Sequence, residues 1–119
     1  MTPFVILLTQ SPFSGQAFQS ALRFLTASKA LGHPTDHVFL YQDAVLAASH
    51  AIDLPADEPD VSRLLAQFCL DHQIPLLFCS TAAEKRGVSL LAEHLRPGYQ
   101  LAGLAEHAMR LADHKLVQF

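Results

Sequence analysis

The segment that most constrains this chain is the short apolar run at residues 76–78, which leads through Cys79 into polar residues. The run follows Pro75 and is too short for a buried helix, so it is typical of a strand that is covered on both faces. The residues from Ser80 onward favour a helix. The sequence therefore predicts a strand that turns directly into a helix, with the Cys79 thiol at the joint.

A thiol at this joint has a chemical consequence. The N–H groups of a first helical turn lack intrahelical partners and the helix dipole adds positive charge, so the reactive thiolate is favoured there. Thr81 and Glu84 have the spacing of a capping box that would start the helix near the sulfur. Lys85 and Arg86 would add positive charge if they turn back towards it. The alternative is that Cys79 is only a small buried apolar residue.

Strand and helix patterns alternate along the rest of the chain. An apolar run at residues 4–9, a helical pattern from Gly15 to Gly32 and a second apolar run at 38–41 form a βαβ unit, which implies a parallel sheet. The later pattern predicts helical turns at 42–49, a strand at 99–102, a helix after it and a strand at 115–119. It also predicts a helix capped by Asp60 whose apolar face consists of Val61, Leu64, Leu65 and Phe68. The last helix is expected to face the core with Leu104, Ala105, Ala108 and Leu111. The predicted fold class is α/β, a three-layer sandwich with a mostly parallel sheet of about five strands.

Composition narrows the function. The 119 residues have the length of one domain, and the net charge of −3 with a pI near 6.1 argues against a general electrostatic grip on nucleic acid or an anionic membrane. Half of the residues are hydrophobic, which could leave apolar surface for partner subunits. The first residues lack the basic segment of a signal peptide and no run is long enough to span a membrane, so a cytoplasmic protein is expected.

The two cysteines do not have the spacing of a disulfide framework or a zinc site. Cys69 lies beside the apolar stripe of its helix, where nothing would activate it, and is expected to serve packing. The seven histidines show no metal-ligand spacing and are predicted to be polar surface residues. A triad of Cys79, a histidine and an acid stays open because nothing singles out one histidine.

In an open parallel sheet, ligands bind beyond the carboxyl ends of the strands. The loops at residues 10–15 and 41–44 are therefore expected to shape access to Cys79. Their polar side chains could hydrogen-bond a substrate, although turn and cap preferences explain them equally well. These candidates are Ser11, Ser14, Tyr41, Asp43 and Ser80.

The chain resembles the TusD/DsrE family of small sulfur-relay proteins over nearly all of its length. The resemblance lies in the first strand with the Pro12 loop, Gly32-His33 before the second strand, Asp43 and Val45, Cys79 with Ala82-Ala83 and Arg86-Gly87-Val88, Leu101-Ala102-Gly103-Leu104, and Asp113 with the ending Leu116-Val117-Gln118-Phe119. The cysteine loop and the ending are its specific parts.

The resemblance implies a single DsrE-like domain over residues 1–119 that acts as a sulfurtransferase subunit. It implies that Cys79 accepts sulfur as a persulfide from a TusA-like donor protein and passes it to a TusE-like acceptor. The subunit would work in a heterohexamer with TusB-like and TusC-like chains. It would not bind nucleic acid directly or a membrane, and it would need no cofactor. The end product would be 2-thiouridine at the wobble position of tRNA.

Two departures and two alternatives accompany the resemblance. Ser80-Thr81 replace apolar residues that commonly follow the cysteine, and Ser89-Leu90-Leu91 replace an acidic stretch, so the wall around Cys79 and its choice of partner are expected to differ. One alternative is a DsrE-like subunit of sulfur oxidation, which uses the same chemistry. The other is a non-catalytic scaffold subunit of the same fold, in which Cys79 is merely buried.

Overall fold

The computed structural model describes residues 2–119. The five strands are β1 Phe4–Leu8, β2 Thr35–Leu40, β3 Leu76–Cys79, β4 Tyr99–Ala102 and β5 Lys115–Gln118. They form one sheet in the order β4-β3-β2-β1-β5, and every neighbouring pair runs parallel. The predicted parallel five-stranded sheet is confirmed, with strand ends that differ from the prediction by a few residues.

Four α-helices connect the strands: α1 Ala17–Ala30, α2 Val61–Asp71, α3 Ser80–Lys85 and α4 Leu104–Leu111. Two 3₁₀ helices lie at Gln42–Ala48 and Ala92–His94. The helices α1 and α2 pack against each other on one face of the sheet. The helix α4 joins β4 to β5, which are opposite edges of the sheet, and crosses its other face. This arrangement gives the three layers that the sequence predicts.

The centre of the sheet is apolar on both faces because helices cover both. All four residues of β3 are buried, and the side chains of Phe39 and Phe78 are fully buried. In a strand, alternate residues point to opposite faces. On β2, the Phe39 ring therefore lies against α4, whereas Val38 and Leu40 point to the face of α1 and α2.

In α2 the predicted N-cap is confirmed, whereas the buried face differs from the predicted one. The carboxylate of Asp60 accepts a hydrogen bond from the backbone N–H of Arg63 at 3.2 Å, as expected of an N-cap. Leu64, predicted to face inward, is 45% exposed. The buried stripe runs instead through Val61, Leu65 and Cys69, one residue every turn, and turns Leu64 outward.

The predicted capping box at Thr81 and Glu84 is wrong. The helix α3 starts at Ser80, Cys79 takes the N-cap position, and no side chain caps this end. The reason is that Cys79 still pairs with Ala102 of β4, so the strand leads into the helix without an intervening residue for a polar cap.

The inward face predicted for α4 is also wrong. His107 is the buried residue of this helix, while Leu111 is half-buried. The exposed positions include Leu104, Ala105 and Ala108. Polar contacts between α4 and β2 set the rotation of the helix, and the apolar spacing alone does not reveal them.

Two of the seven histidines contradict the prediction of surface residues. The side chain of His37 on β2 is fully buried, and His107 on α4 is only 8% exposed. The remaining five are exposed or half-buried. The buried pair hydrogen-bond each other across the contact between β2 and α4, which compensates for their burial.

Candidate functional site

The thiol of Cys79 lies at the carboxyl-end edge of the sheet, where β3 passes into α3. Its backbone is extended, with φ −72° and ψ 118°, and the helix begins at the next residue. The neighbouring strand β2 ends at Leu40, so the chain after β2 emerges beside Cys79. Cys79 itself is only 2% exposed, so a reaction partner must reach it through a pocket.

A pocket of about 460 Å³ opens at Cys79. Its wall is built from the chain after β2, from the joint and helix after β3, and from the start of α4. The lining residues are Tyr41, Gln42, Cys79, Thr81, Ala82, Lys85, Arg86 and Leu104. A volume of this size suits a small molecule or a short extended segment of another chain.

Two cations line the pocket and differ in their partners. The guanidinium of Arg86 donates to the carboxylate of Asp43 at 2.8 Å and to the carbonyl oxygen of Ala82 at 3.1 Å. Lys85 is exposed and takes part in none of the ion pairs among residues 2–119. The positive charges anticipated near the thiol are therefore present, with that of Arg86 partly neutralised by Asp43.

The backbone of Gln42 adopts the left-handed conformation, with φ at 51°. This conformation is uncommon for residues other than glycine and carries a steric cost. Gln42 lines the pocket directly after Tyr41, whose backbone is extended. The turn carries the chain from the end of β2 along the pocket wall into the 3₁₀ helix.

Cys69 lies in a different environment from Cys79. It belongs to the buried stripe of α2 and is 2% exposed. Burial raises the pKa of the Cys69 thiol to about 12, so the protonated, unreactive form prevails at neutral pH. The burial of Cys69 on α2 agrees with the prediction that it serves packing.

The loop at residues 10–15 does not line the Cys79 pocket in the described part of the chain. It borders a second pocket of about 440 Å³, together with Leu54, Pro55 and Glu58 from the loop before α2. The hydroxyl of Ser11 accepts a hydrogen bond from the backbone N–H of Phe13 at 3.1 Å, which is a turn contact. Of the two predicted access loops, only 41–44 reaches the pocket.

The structure brings only part of the predicted polar set to Cys79. Tyr41 lines the pocket and Asp43 reaches it through Arg86. None of the seven histidines lines it within residues 2–119, so the pocket offers no partner for a cysteine–histidine–acid triad. Leu104 was missed, although its place two residues after the end of β4 could have indicated it because β4 ends at the same edge as β3.

Among residues 2–119, no group of three or more histidine, cysteine, aspartate or glutamate side chains is placed to hold a metal ion. Within the same residues, no helix has the length and apolar character needed to cross a membrane.

Comparison with known proteins gives one consistent family. The model of the DsrE/DsrF-like family matches residues 3–119. Sulfurtransferase TusD of Pectobacterium atrosepticum is 33% identical, with 100% of both chains covered. Sulfurtransferase TusD of Sodalis glossinidius is 36% identical over 98% of this chain and 97% of its own. The sulfurtransferase TusD homolog of Aliivibrio fischeri is 38% identical over 90% of each chain.

Solved structures support the same fold. The crystal structure of the ychN protein from E. coli superposes with a TM-score of 0.83 at 26% identity, and each chain is covered completely. A protein of unknown function from Methanobacterium thermoautotrophicum shares the fold at a TM-score of 0.60 and 13% identity, over 98% of this chain and 99% of its own. The sequence, the sheet order and these comparisons agree that this chain belongs to the DsrE/DsrF-like family.

Proposed function

We propose that this protein is a sulfurtransferase subunit of a sulfur relay and that Cys79 carries the sulfur as a persulfide. The observation that carries the proposal is the position of Cys79 in a pocket bordered by Lys85 and Arg86. Cys69 is equally buried and borders a pocket of about 300 Å³ whose lining, within residues 2–119, contains no cation. Sulfurtransferase is also the activity named for the curated relatives described above.

The proposed chemistry is two successive thiol exchanges. The thiolate of Cys79 attacks the outer sulfur of a donor persulfide, a new S–S bond forms, and the donor leaves as a thiolate. An acceptor thiolate then attacks the outer sulfur of the Cys79 persulfide, and Cys79 leaves as a thiolate. Each step breaks one S–S bond and forms another, so the two steps need no external oxidant, reductant or cofactor.

The pocket suits these steps electrostatically. The attacking group, the leaving group and the persulfide are all anions, and nearby cations stabilise anions most when the site is partly shielded from water. Lys85 has no carboxylate partner among the described ion pairs, so its charge is free to act on the bound donor. Because Cys79 is 2% exposed, the donor and acceptor must each present their sulfur on a segment that enters the pocket.

The finer assignment follows the TusD relatives. We propose that the sulfur serves 2-thiouridine formation at the tRNA wobble position, with a TusA-like donor, a TusE-like acceptor and TusB-like and TusC-like subunits in a heterohexamer. The subunit would not contact nucleic acid itself. The full-length match to TusD proteins favours this assignment over a subunit of sulfur oxidation.

A test in cells separates these assignments. A bacterial strain that lacks its TusD subunit is complemented with the wild-type protein, Cys79→Ser or Cys69→Ser, and 2-thiouridine in its tRNA is quantified. We expect wild type and Cys69→Ser to restore thiolation and Cys79→Ser to fail. Restoration by Cys79→Ser would contradict the persulfide role, and failure of the folded wild-type protein in the assembled complex would contradict the tRNA assignment.

A scaffold subunit is the second candidate, and the low exposure of Cys79 is the observation that favours it. In that case the thiol would be a packing residue and the pocket would have no chemical role. Reaction of Cys79 with a small thiol reagent in the folded protein distinguishes the two. Labelling at a rate near that of Cys69 would support the scaffold.

A further inference from the structure

A chain of hydrogen-bonded polar side chains, two of them buried and one half-buried, joins α4 to β2. The Nδ1 atom of His37 lies 2.7 Å from a carboxylate oxygen of Asp36, and its Nε2 atom lies 3.0 Å from Nδ1 of His107. His37 is fully buried and His107 is 8% exposed. The ring of His107 also stacks on Phe39, with the ring centres 4.2 Å apart.

The hydrogen-bond pattern fixes the protons of this chain. A carboxylate only accepts, so Nδ1 of His37 must donate to Asp36. Burial lowers the pKa of His37, which is therefore neutral near pH 7, and its Nε2 atom carries no proton. Nε2 then accepts, and Nδ1 of His107 donates to it. The pair cannot hold a proton on all four ring nitrogens without losing the bond between them.

The charged and titratable groups around His37 come from three parts of the chain. Asp36 lies on β2, Arg110 on α4 and His114 just before β5. The guanidinium of Arg110 donates to the Asp36 carboxylate at 3.3 Å, and Nε2 of His114 lies 3.4 Å from its other oxygen. The Nδ1 atom of His114 is buried without a hydrogen-bond partner. Additional positive charge at His37 would therefore face Arg110 and His114 across a shared carboxylate.

Apolar burial contributes little to holding α4 in place. His107 is the helix's buried residue, and Met109 on the same helix is 79% exposed. The contacts of His107 and Arg110 with β2 must therefore supply much of the attachment. At its first residue the helix contributes Leu104 to the wall of the Cys79 pocket.

We propose that the Asp36–His37–His107 chain positions α4 and thereby holds Leu104 in the wall of the Cys79 pocket, so that breaking the chain widens access to the thiol. His37 and His107 are positioning residues and do not touch the sulfur. The position of α4 would thus control access of a sulfur donor to Cys79, and this part of the proposal rests on the sulfur-transfer function proposed above.

The proposal implies a pH dependence with a definite sign. Burial lowers the pKa of both His37 and His107 from the ordinary value of 6.5, and in His107 the neighbouring His37 adds to the effect. An undocked α4 would bind more protons, so docking weakens as pH falls through about 6.5. Burial raises the pKa of Asp36, but the hydrogen bond from His37 and the charge of Arg110 outweigh it, so Asp36 stays ionised in this range.

Three variants test the proposal: His107→Leu, His107→Asn and the exposed control His50→Gln. The amide of asparagine can replace the Nδ1 donor of His107, whereas leucine cannot. The measurements are the labelling rate of the Cys79 peptide by neutral iodoacetamide and the hydrogen exchange of residues 104–111, both at about pH 8, where unperturbed histidines are neutral. We expect His107→Leu to raise both rates roughly fivefold, the factor that about 1 kcal/mol produces. The asparagine and control variants should stay near wild type.

Wild-type protein supplies a second measurement that does not depend on a variant folding. The measured quantity is the ratio of hydrogen-exchange rates of residues 104–111 to those of α1, each corrected for intrinsic exchange. This ratio should increase as the pH is lowered from about 8 to about 5.5. An unchanged ratio, or a folded His107→Leu protein that labels and exchanges like wild type, would overturn the proposal. Iodoacetamide labelling requires no sulfur transfer, so this outcome is distinct from failure of Cys79 to accept a persulfide.

Discussion

The guanidinium of Arg86 donates to the carboxylate of Asp43 at 2.8 Å and joins the end of α3 to the 3₁₀ helix that follows β2. The two residues are 43 positions apart in the chain. Their contact spans the two segments that supply most of the lining of the Cys79 pocket. The negative charge of Asp43 also partly neutralises Arg86, which lowers the positive potential that Arg86 adds to the pocket.

Removing the carboxylate should change the electrostatics of the pocket more than the stability of the fold. The Asp43 side chain is 63% exposed, and exposed ion pairs typically contribute about 0–1 kcal/mol. For Asp43→Asn we expect a nearly unchanged melting temperature and faster labelling of Cys79 by anionic iodoacetate relative to neutral iodoacetamide. Calorimetry and peptide mass spectrometry measure the two effects. An unchanged ratio of labelling rates would show that the freed Arg86 charge does not act on the thiol.

Lys85 should have the opposite effect on that ratio. In Lys85→Gln, an anion that approaches Cys79 loses the attraction of an exposed cation in the pocket wall. We expect iodoacetate labelling to slow roughly threefold at low ionic strength, with the difference reduced at high salt by screening. Lys115→Gln on the exposed edge strand β5 is the control, since this lysine is absent from the pocket lining. Equal effects of the two variants would point to overall charge rather than to the pocket.

Cys69 should be unreactive until the protein unfolds. Its exposure of 2% is the same as that of Cys79, but burial raises the pKa of the Cys69 thiol to about 12, and no cation among residues 2–119 lines the pocket beside it. At pH 8 we expect iodoacetamide to label the Cys79 peptide in the folded protein and the Cys69 peptide only after a denaturant is added. Peptide mass spectrometry follows both sites in one sample. Labelling of both peptides at the same native rate would contradict the contrast between a thiol beside two cations and a thiol whose pKa burial raises.

Asp60 connects helix capping with acid stability. It caps α2 and accepts a hydrogen bond from Arg96 at 2.7 Å, and this bond is the main reason its pKa lies below 3.8. Because the folded pKa is lowered, the stabilisation is present above the unfolded value and is lost as pH falls through the folded one. We expect Asp60→Ala to lose about 1–2 kcal/mol near neutral pH.

The pH series gives the corresponding check. The difference in unfolding free energy between Asp60→Ala and wild type should shrink below about pH 4, where the Asp60 carboxylate of the unfolded chain becomes protonated while that of the folded protein is still ionised. Asp57→Ala is a suitable control because this residue lies in the exposed loop before α2. A stability difference that stays constant into strong acid would contradict the assigned role of the Asp60 charge.

The sequence reveals those features that depend on local pattern. Continuous apolar runs identify the strands, and the strand-to-helix joint indicates where Cys79 lies. The rotation of α4 could not be predicted, because it depends on contacts of His107 and Arg110 with β2, 70 or more residues away. The burial of His37 is hidden for the same reason: the hydrogen-bond partner that makes it tolerable comes from a distant helix.

The candidate site divides in the same way. Cys79 and the loop at 41–44 could be predicted because parallel strands end at a common edge of the sheet. That rule alone also assigned the loop at 10–15 to this site. The order β4-β3-β2-β1-β5 puts β1 one strand farther from β3 than β2 is, and the loop after β1 borders a separate pocket.

The most direct test is mass spectrometry of the protein after incubation with a persulfide-loaded donor protein, with its partner subunits present. We expect one added sulfur on the Cys79 peptide of wild type and Cys69→Ser, none in Cys79→Ser, and loss of the added sulfur when an acceptor thiol is supplied. Absence of added sulfur on Cys79 with a competent donor would contradict the relay role and favour the scaffold subunit.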